Sequence, residues 1–80
     1  MVVAEVKIEL KEGVADPEGM NTKKALELLG WEIEGVKSGK IYEIDLGDDI
    51  SEEDAQEEVE EMCKRLLANP VIQTYEIDIK

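Results

Sequence analysis

Histidine and phenylalanine are absent from this sequence, and cysteine occurs once, at Cys63. Without histidine no Ser-His-Asp or Cys-His arrangement exists, and the usual zinc ligand sets cannot be assembled. A single cysteine excludes an internal disulfide, so nothing staples the fold covalently. Aromatic residues make up 4% of the chain, too few for a platform on which bases could stack. Cations are scarce as well: nine Lys and Arg stand against 21 Asp and Glu, a formal net charge of −12. Binding to phosphate backbones or anionic membranes calls for a basic footprint, so neither nucleic acid nor membrane is an expected partner. No apolar run is long enough to span a bilayer, and residues 1–5 lack the basic flank and long apolar stretch of a signal peptide. A cytoplasmic location is the expectation that follows.

What is present fits a soluble globular domain. Apolar residues make up 42% of the 80 positions and charged residues 38%, a balance that supports one folded domain over residues 1–80. Alternation runs through Val2, Ala4, Val6, Ile8 and Leu10 on one face and Val3, Glu5, Lys7, Glu9 and Lys11 on the other. That period of two predicts a half-buried strand. Asp16-Pro17 then opens a helix, with Asp16 as cap and Pro17 at the first position, where no donor is needed. Ala25, Leu28 and Leu29 recur at helical spacing until Gly30 offers a left-handed stop.

Trp31, Ile33 and Val36 suggest a short second strand, and Tyr42, Ile44 and Leu46 a third, with Ser38-Gly39 as a hairpin turn between them. Ser51 caps a second helix whose stripe of Ala55, Val59, Met62, Cys63, Leu66 and Leu67 is expected to be core. Asn69-Pro70 ends that helix, and a last strand places Val71, Gln73, Tyr75, Ile77 and Ile79 on one face. The order reads β-α-β-β-α-β. The expected fold is α+β, a two-layer sandwich with two helices on one face of a mostly antiparallel sheet.

Candidate chemistry is thin. Cys63, on the apolar face of the second helix, reads as a core thiol. Gly35-Val36-Lys37-Ser38-Gly39-Lys40 falls one residue short of a phosphate loop, and Ile41 stands where Ser or Thr would hold magnesium. The acidic stretch from Asp48 to Glu61 lacks the alternating ligands and central Gly of a calcium loop. It reads first as a solvated helix face, with a docking surface as the competing reading. Its early carboxylates suit the helix dipole, and Glu61–Arg65 forms an i, i+4 pair. The residues alone therefore lead to an acidic interaction module without catalytic groups.

Several stretches taken in order carry a resemblance. These are Val6-Lys7-Ile8-Glu9-Leu10-Lys11-Glu12-Gly13-Val14, Asp16-Pro17-Glu18-Gly19, Ala25-Leu26 through Leu29-Gly30, Val36-Lys37-Ser38-Gly39-Lys40, and Met62-Cys63-Lys64-Arg65-Leu66-Leu67-Ala68-Asn69-Pro70-Val71-Ile72. Together they resemble PurS, the small subunit of phosphoribosylformylglycinamidine synthase, nearly end to end. Lys37 departs from the Arg usual in that family, which removes a bidentate donor, and Ala15 from a frequent Leu. The resemblance implies a non-catalytic bridge in purine biosynthesis. It would self-associate to a dimer or tetramer, dock the synthetase subunit PurL and the glutaminase subunit PurQ, and assist transfer of glutamine-derived ammonia. ATP and magnesium would be used by the synthetase, with no cofactor on this chain. Interface positions implied by the family are Lys11, Asp16, Pro17, Gly19, Lys37, Gly39, Lys40, Asn69 and Pro70. The alternative from another class is a dimeric ligand-sensing regulatory domain, which would bind a small effector on its own.

Overall fold

The computed structural model describes residues 1–80. Alternation between Val3 and Leu10 makes strand β1 (Val3–Leu10) the centre of the sheet. Strands β2 (Gly39–Asp45) and β3 (Gln73–Ile79) flank it, both antiparallel, in the order β2-β1-β3. Val6 lies opposite Tyr42 and Ile77, and Ala4 opposite Ile44 and Ile79. Directly opposed residues share a face, so this register collects the apolar side chains on one side of the sheet. Helices α1 (Pro17–Leu28) and α2 (Glu52–Met62) complete the order β-α-β-α-β, and the expected α+β sandwich class holds.

The core is formed where α2 crosses β1 and β3. Ser51 caps that helix by accepting from the Asp54 amide at 3.1 Å. Val59 and Cys63 then pack on Ala4, Val6 and Ile8. Beyond Met62 the helix widens into a π turn (Cys63–Leu67), in which the Ala68 amide donates to the Cys63 carbonyl at 3.0 Å. This i→i+5 closure corrects the expected core stripe. A turn of 3.6 residues after Cys63 would bury Leu66. The wider turn instead brings Leu67 and Ala68 to the core and leaves Leu66 84% exposed.

Two further expectations are revised. Residues 31–38 form no strand. Gly39 already lies opposite Glu9 near the end of β1, so everything before it runs past the sheet with no edge to pair. The segment is tied to α1 instead: Trp31 donates its amide to the Leu26 carbonyl at 3.3 Å. Ser38-Gly39 is therefore not a hairpin turn. Nor does α1 share the sheet face with α2, since it has no extended packing against either. It projects from one end of the sheet as an arm, and the molecule measures 50 × 26 × 15 Å. Its radius of gyration is 16.0 Å, whereas a compact chain of this length would have about 12 Å.

The opposite sheet face is polar. Glu5 sits directly between Glu43 and Asp78 in one cross-strand row. Lys80 reaches into this row, its Nζ 2.9 Å from Glu5 Oε2, and that hydrogen bond is the main reason its pKa is raised.

Because Ile8 is buried beneath the second helix, Ile8→Ala is expected to destabilise the fold by about 2–5 kcal/mol. Thr74→Ala, on the solvated face, should stay within about 0.5 kcal/mol of the parent. Equilibrium denaturation at fixed protein concentration measures both.

Candidate functional site

Antiparallel pairing brings the C-terminal end of β1 and the N-terminal ends of β2 and β3 to one edge of the molecule. All nine interface positions inferred from the resemblance lie at or beside that end. They fall into two groups, joined by Gln73.

The first group surrounds the root of α1. Asp16 caps the helix, accepting from the Gly19 amide at 3.0 Å. The same carboxylate accepts from the Ser38 amide at 2.8 Å and the Ser38 hydroxyl at 2.7 Å. Hydrogen bonds from the Ser38 amide, then the Gly19 amide, then the Ser38 hydroxyl favour the charged form and lower the Asp16 pKa. Pro17 follows at the first helical position. Gly19 is buried because the return segment crosses it: a Cβ there would lie 2.5 Å from the Val36 carbonyl oxygen and 2.6 Å from Asp16 Oδ2. Gly39 is held as closely, with a Cβ position 2.8 Å from the Ile8 carbonyl oxygen. Lys40, opposite Ile8, is exposed at the rim.

A cleft of about 220 Å³ opens here, lined by Asp16, Pro17, Glu18, Gly39, Lys40 and Gln73, among others. Lys37 lies outside it, its Nζ 3.8 Å from Glu9 Oε2, while Lys7 meets the other Glu9 oxygen at 3.3 Å.

The second group is the corner before β3. Lys11 donates its Nζ to the Pro70 carbonyl at 2.7 Å, and its amide donates to the Ile72 carbonyl at 2.8 Å. Asn69 accepts on Oδ1 from the Val71 amide at 3.1 Å, and its own amide donates to Gln73 Oε1 at 2.7 Å. Gln73 thus braces the corner and lines the cleft.

Chemically the site offers shape and hydrogen bonds rather than reactivity. The Asp16 carboxylate is already engaged, and no thiol or imidazole is present. Cys63 lies in the core, its pKa raised by burial and by Glu60. Nowhere do three or more Asp, Glu, Cys or His side chains gather as a metal site. Sequence reasoning missed Ser38, Gln73 and Glu9, the partners that hold the inferred residues in place. Ser38 was visible only as a turn residue, because a contact across 22 positions leaves no mark in local spacing.

Gly19→Ala is expected to cost about 1–3 kcal/mol, as overpacking against a fixed carbonyl does. For Asp16 the folded pKa lies below the ordinary 3.8. Its stabilising contribution is therefore full above the unfolded value and lost as pH falls through the lower folded value. The melting temperature of Asp16→Ala should lie below the parent's at neutral pH, and the gap should close in acid. Thermal unfolding across pH measures it.

Comparison with known proteins places this architecture. The family profile for PurS, phosphoribosylformylglycinamidine (FGAM) synthase, matches residues 3–80. The PurS subunit of phosphoribosylformylglycinamidine synthase from Archaeoglobus fulgidus is 54% identical over 95% of each chain. The crystal structure of Methanocaldococcus jannaschii PurS is 47% identical and superposes with a TM-score of 0.89 over 100% of this chain and 96% of that one. A chain in the PurLQS structure from Thermotoga maritima is 26% identical, with a TM-score of 0.85 over 100% and 99%. With its sequence matched from the first strand to the last and its fold reproduced, the chain belongs to the PurS family.

Proposed function

We propose that this chain is the small subunit of a phosphoribosylformylglycinamidine synthase in purine biosynthesis. In this reading it performs no chemistry itself. It self-associates and joins the synthetase PurL to the glutaminase PurQ, so that ammonia released from glutamine reaches the synthetase without loss to water. The synthetase then uses ATP and magnesium to convert formylglycinamide ribonucleotide to its amidine. The working compartment is the cytoplasm; no helix of the chain is long and apolar enough to cross a membrane.

The observation that carries the reading is the match of the whole chain to a chain of the PurLQS structure, at an identity above that of fold likeness alone. The sheet-end cleft adds a physical reason: two glycine contacts, a cap and a braced corner fix a rigid polar surface with an exposed lysine at its rim. Such a surface suits recognition of folded partners. A small-effector sensor is not favoured, since the matched relatives are named as subunits of the synthase.

Omitting this chain from a reconstituted mixture of the other two subunits is expected to abolish or greatly reduce amidine formation with glutamine. Free ammonia should restore part of the rate, because it needs no delivery route. Lys40→Glu, which reverses the charge at the cleft rim, should lower the glutamine-driven rate more than the ammonia-driven one. Steady-state assays with each nitrogen source decide it. Equal glutamine rates with and without the chain would overturn the reading.

A further inference from the structure

We infer that the corner at residues 69–72 is a rigid apolar knob, with Val71 at its tip, that seats in an apolar socket on a larger subunit of the synthase, and that Lys11 holds it in shape. This rests on the subunit reading above and names one contact within it.

The corner differs from an ordinary surface connection, which is mobile and polar. Pro70, Val71 and Ile72 follow one another in the turn, all exposed, Val71 to 77%. None of the three belongs to the core or packs against it. One exposed apolar side chain is ordinary, whereas a run of three is a defect unless a function uses it. The backbone beneath them is satisfied from within. The Ile72 and Gln73 amides donate to the Asn69 carbonyl at 3.1 and 2.8 Å. The Val71 amide donates to Asn69 Oδ1, and the Asn69 amide to Gln73 Oε1. Pro70 carries no donor, so every amide from Asn69 to Gln73 is engaged. Lys11 supplies the remaining ties, its amide donating to the Ile72 carbonyl and its Nζ to the Pro70 carbonyl. What the corner has left to offer a partner is apolar surface.

A turn fixed in this way loses little conformational freedom on docking, so burial of its side chains converts to affinity with a small ordering cost. Lys11 is central to that stiffness. Its ammonium reaches the Pro70 carbonyl across 59 positions of sequence and ties the turn to the end of β1. Continuity selects the occupant. Gln73 both fixes the corner and lines the cleft, so the two form one surface. A single partner covers both, and it is the folded subunit that the cleft recognises, not a second copy of this chain.

Titrating this chain into the other two subunits, with glutamine-driven amidine formation as readout, tests the contact. Val71→Asp should raise the concentration that gives half the maximal rate by about tenfold or more, the effect of denying burial to one apolar side chain. Its rate at saturation should approach the parent's, and the ammonia-driven rate should not change. Lys11→Met keeps the stem but releases the Pro70 carbonyl, and should also raise the half-saturating concentration. Lys11→Arg, which retains a donor, should restore most of the affinity. Circular dichroism and sedimentation equilibrium of each variant alone should match the parent. A Val71→Asp titration that overlays that of an active parent would overturn the inference and leave the subunit reading intact. Altered self-association of Val71→Asp would overturn it too, by placing the corner between copies. A parent that leaves the glutamine rate unchanged would overturn the subunit reading, and the inference with it.

Discussion

The Asp16 carboxylate accepts hydrogen bonds from the first turn of α1 and from the segment that re-enters the sheet at Gly39, and the outline of the molecule follows from that clasp. By fixing both ends of residues 17–38 to one point, it makes a closed arm of a helix and its return path. Rotation about the link is then limited by Gly19, whose missing Cβ lets the return carbonyl pass. The arm therefore leaves the sheet end in a defined direction although it gains little burial from the sheet. Polar contacts set its orientation, where in most small domains apolar packing would.

That arrangement leaves a thin interior. Eight of the 80 residues are buried, and all but Gly19 and Ala68 lie in the first strand or in the second helix with its π turn. Hydrophobic stabilisation scales with apolar area removed from water, so a chain this extended draws little from its own core. Its remaining apolar surface belongs to whatever it meets. The same geometry serves the site. The sheet end gathers nine positions that are scattered through the sequence, because three antiparallel strands start or finish there.

Much of this was legible in the residues. The alternation of β1, the Asp16-Pro17 opening of α1, the Ser51 cap and the stop at Asn69-Pro70 are all local, and local rules found them. The misreadings came from nonlocal causes. Trp31, Ile33 and Val36 suggest a short strand, but a strand needs an edge to pair with, and β1 ends too soon. Leu66 has the spacing of a core residue under 3.6 residues per turn, and the π turn changes the period at that residue. The interface positions came from the resemblance; what the sequence could not display was their bracing by Ser38, Gln73 and Glu9 across the fold.

The row of Glu43, Glu5 and Asp78 on the open sheet face has a bearing on how the molecule sorts its neighbours. Like charges placed directly opposite on adjacent strands oppose folding, and Lys80 relieves only part of that strain. A fold that keeps such a row spends stability on repulsion. Its return is a one-sided molecule: two such sheets cannot stack through their acidic faces without bringing both rows together. The carboxylates act as a keep-out sign on one side of the sheet and leave the apolar side as the one open to contact.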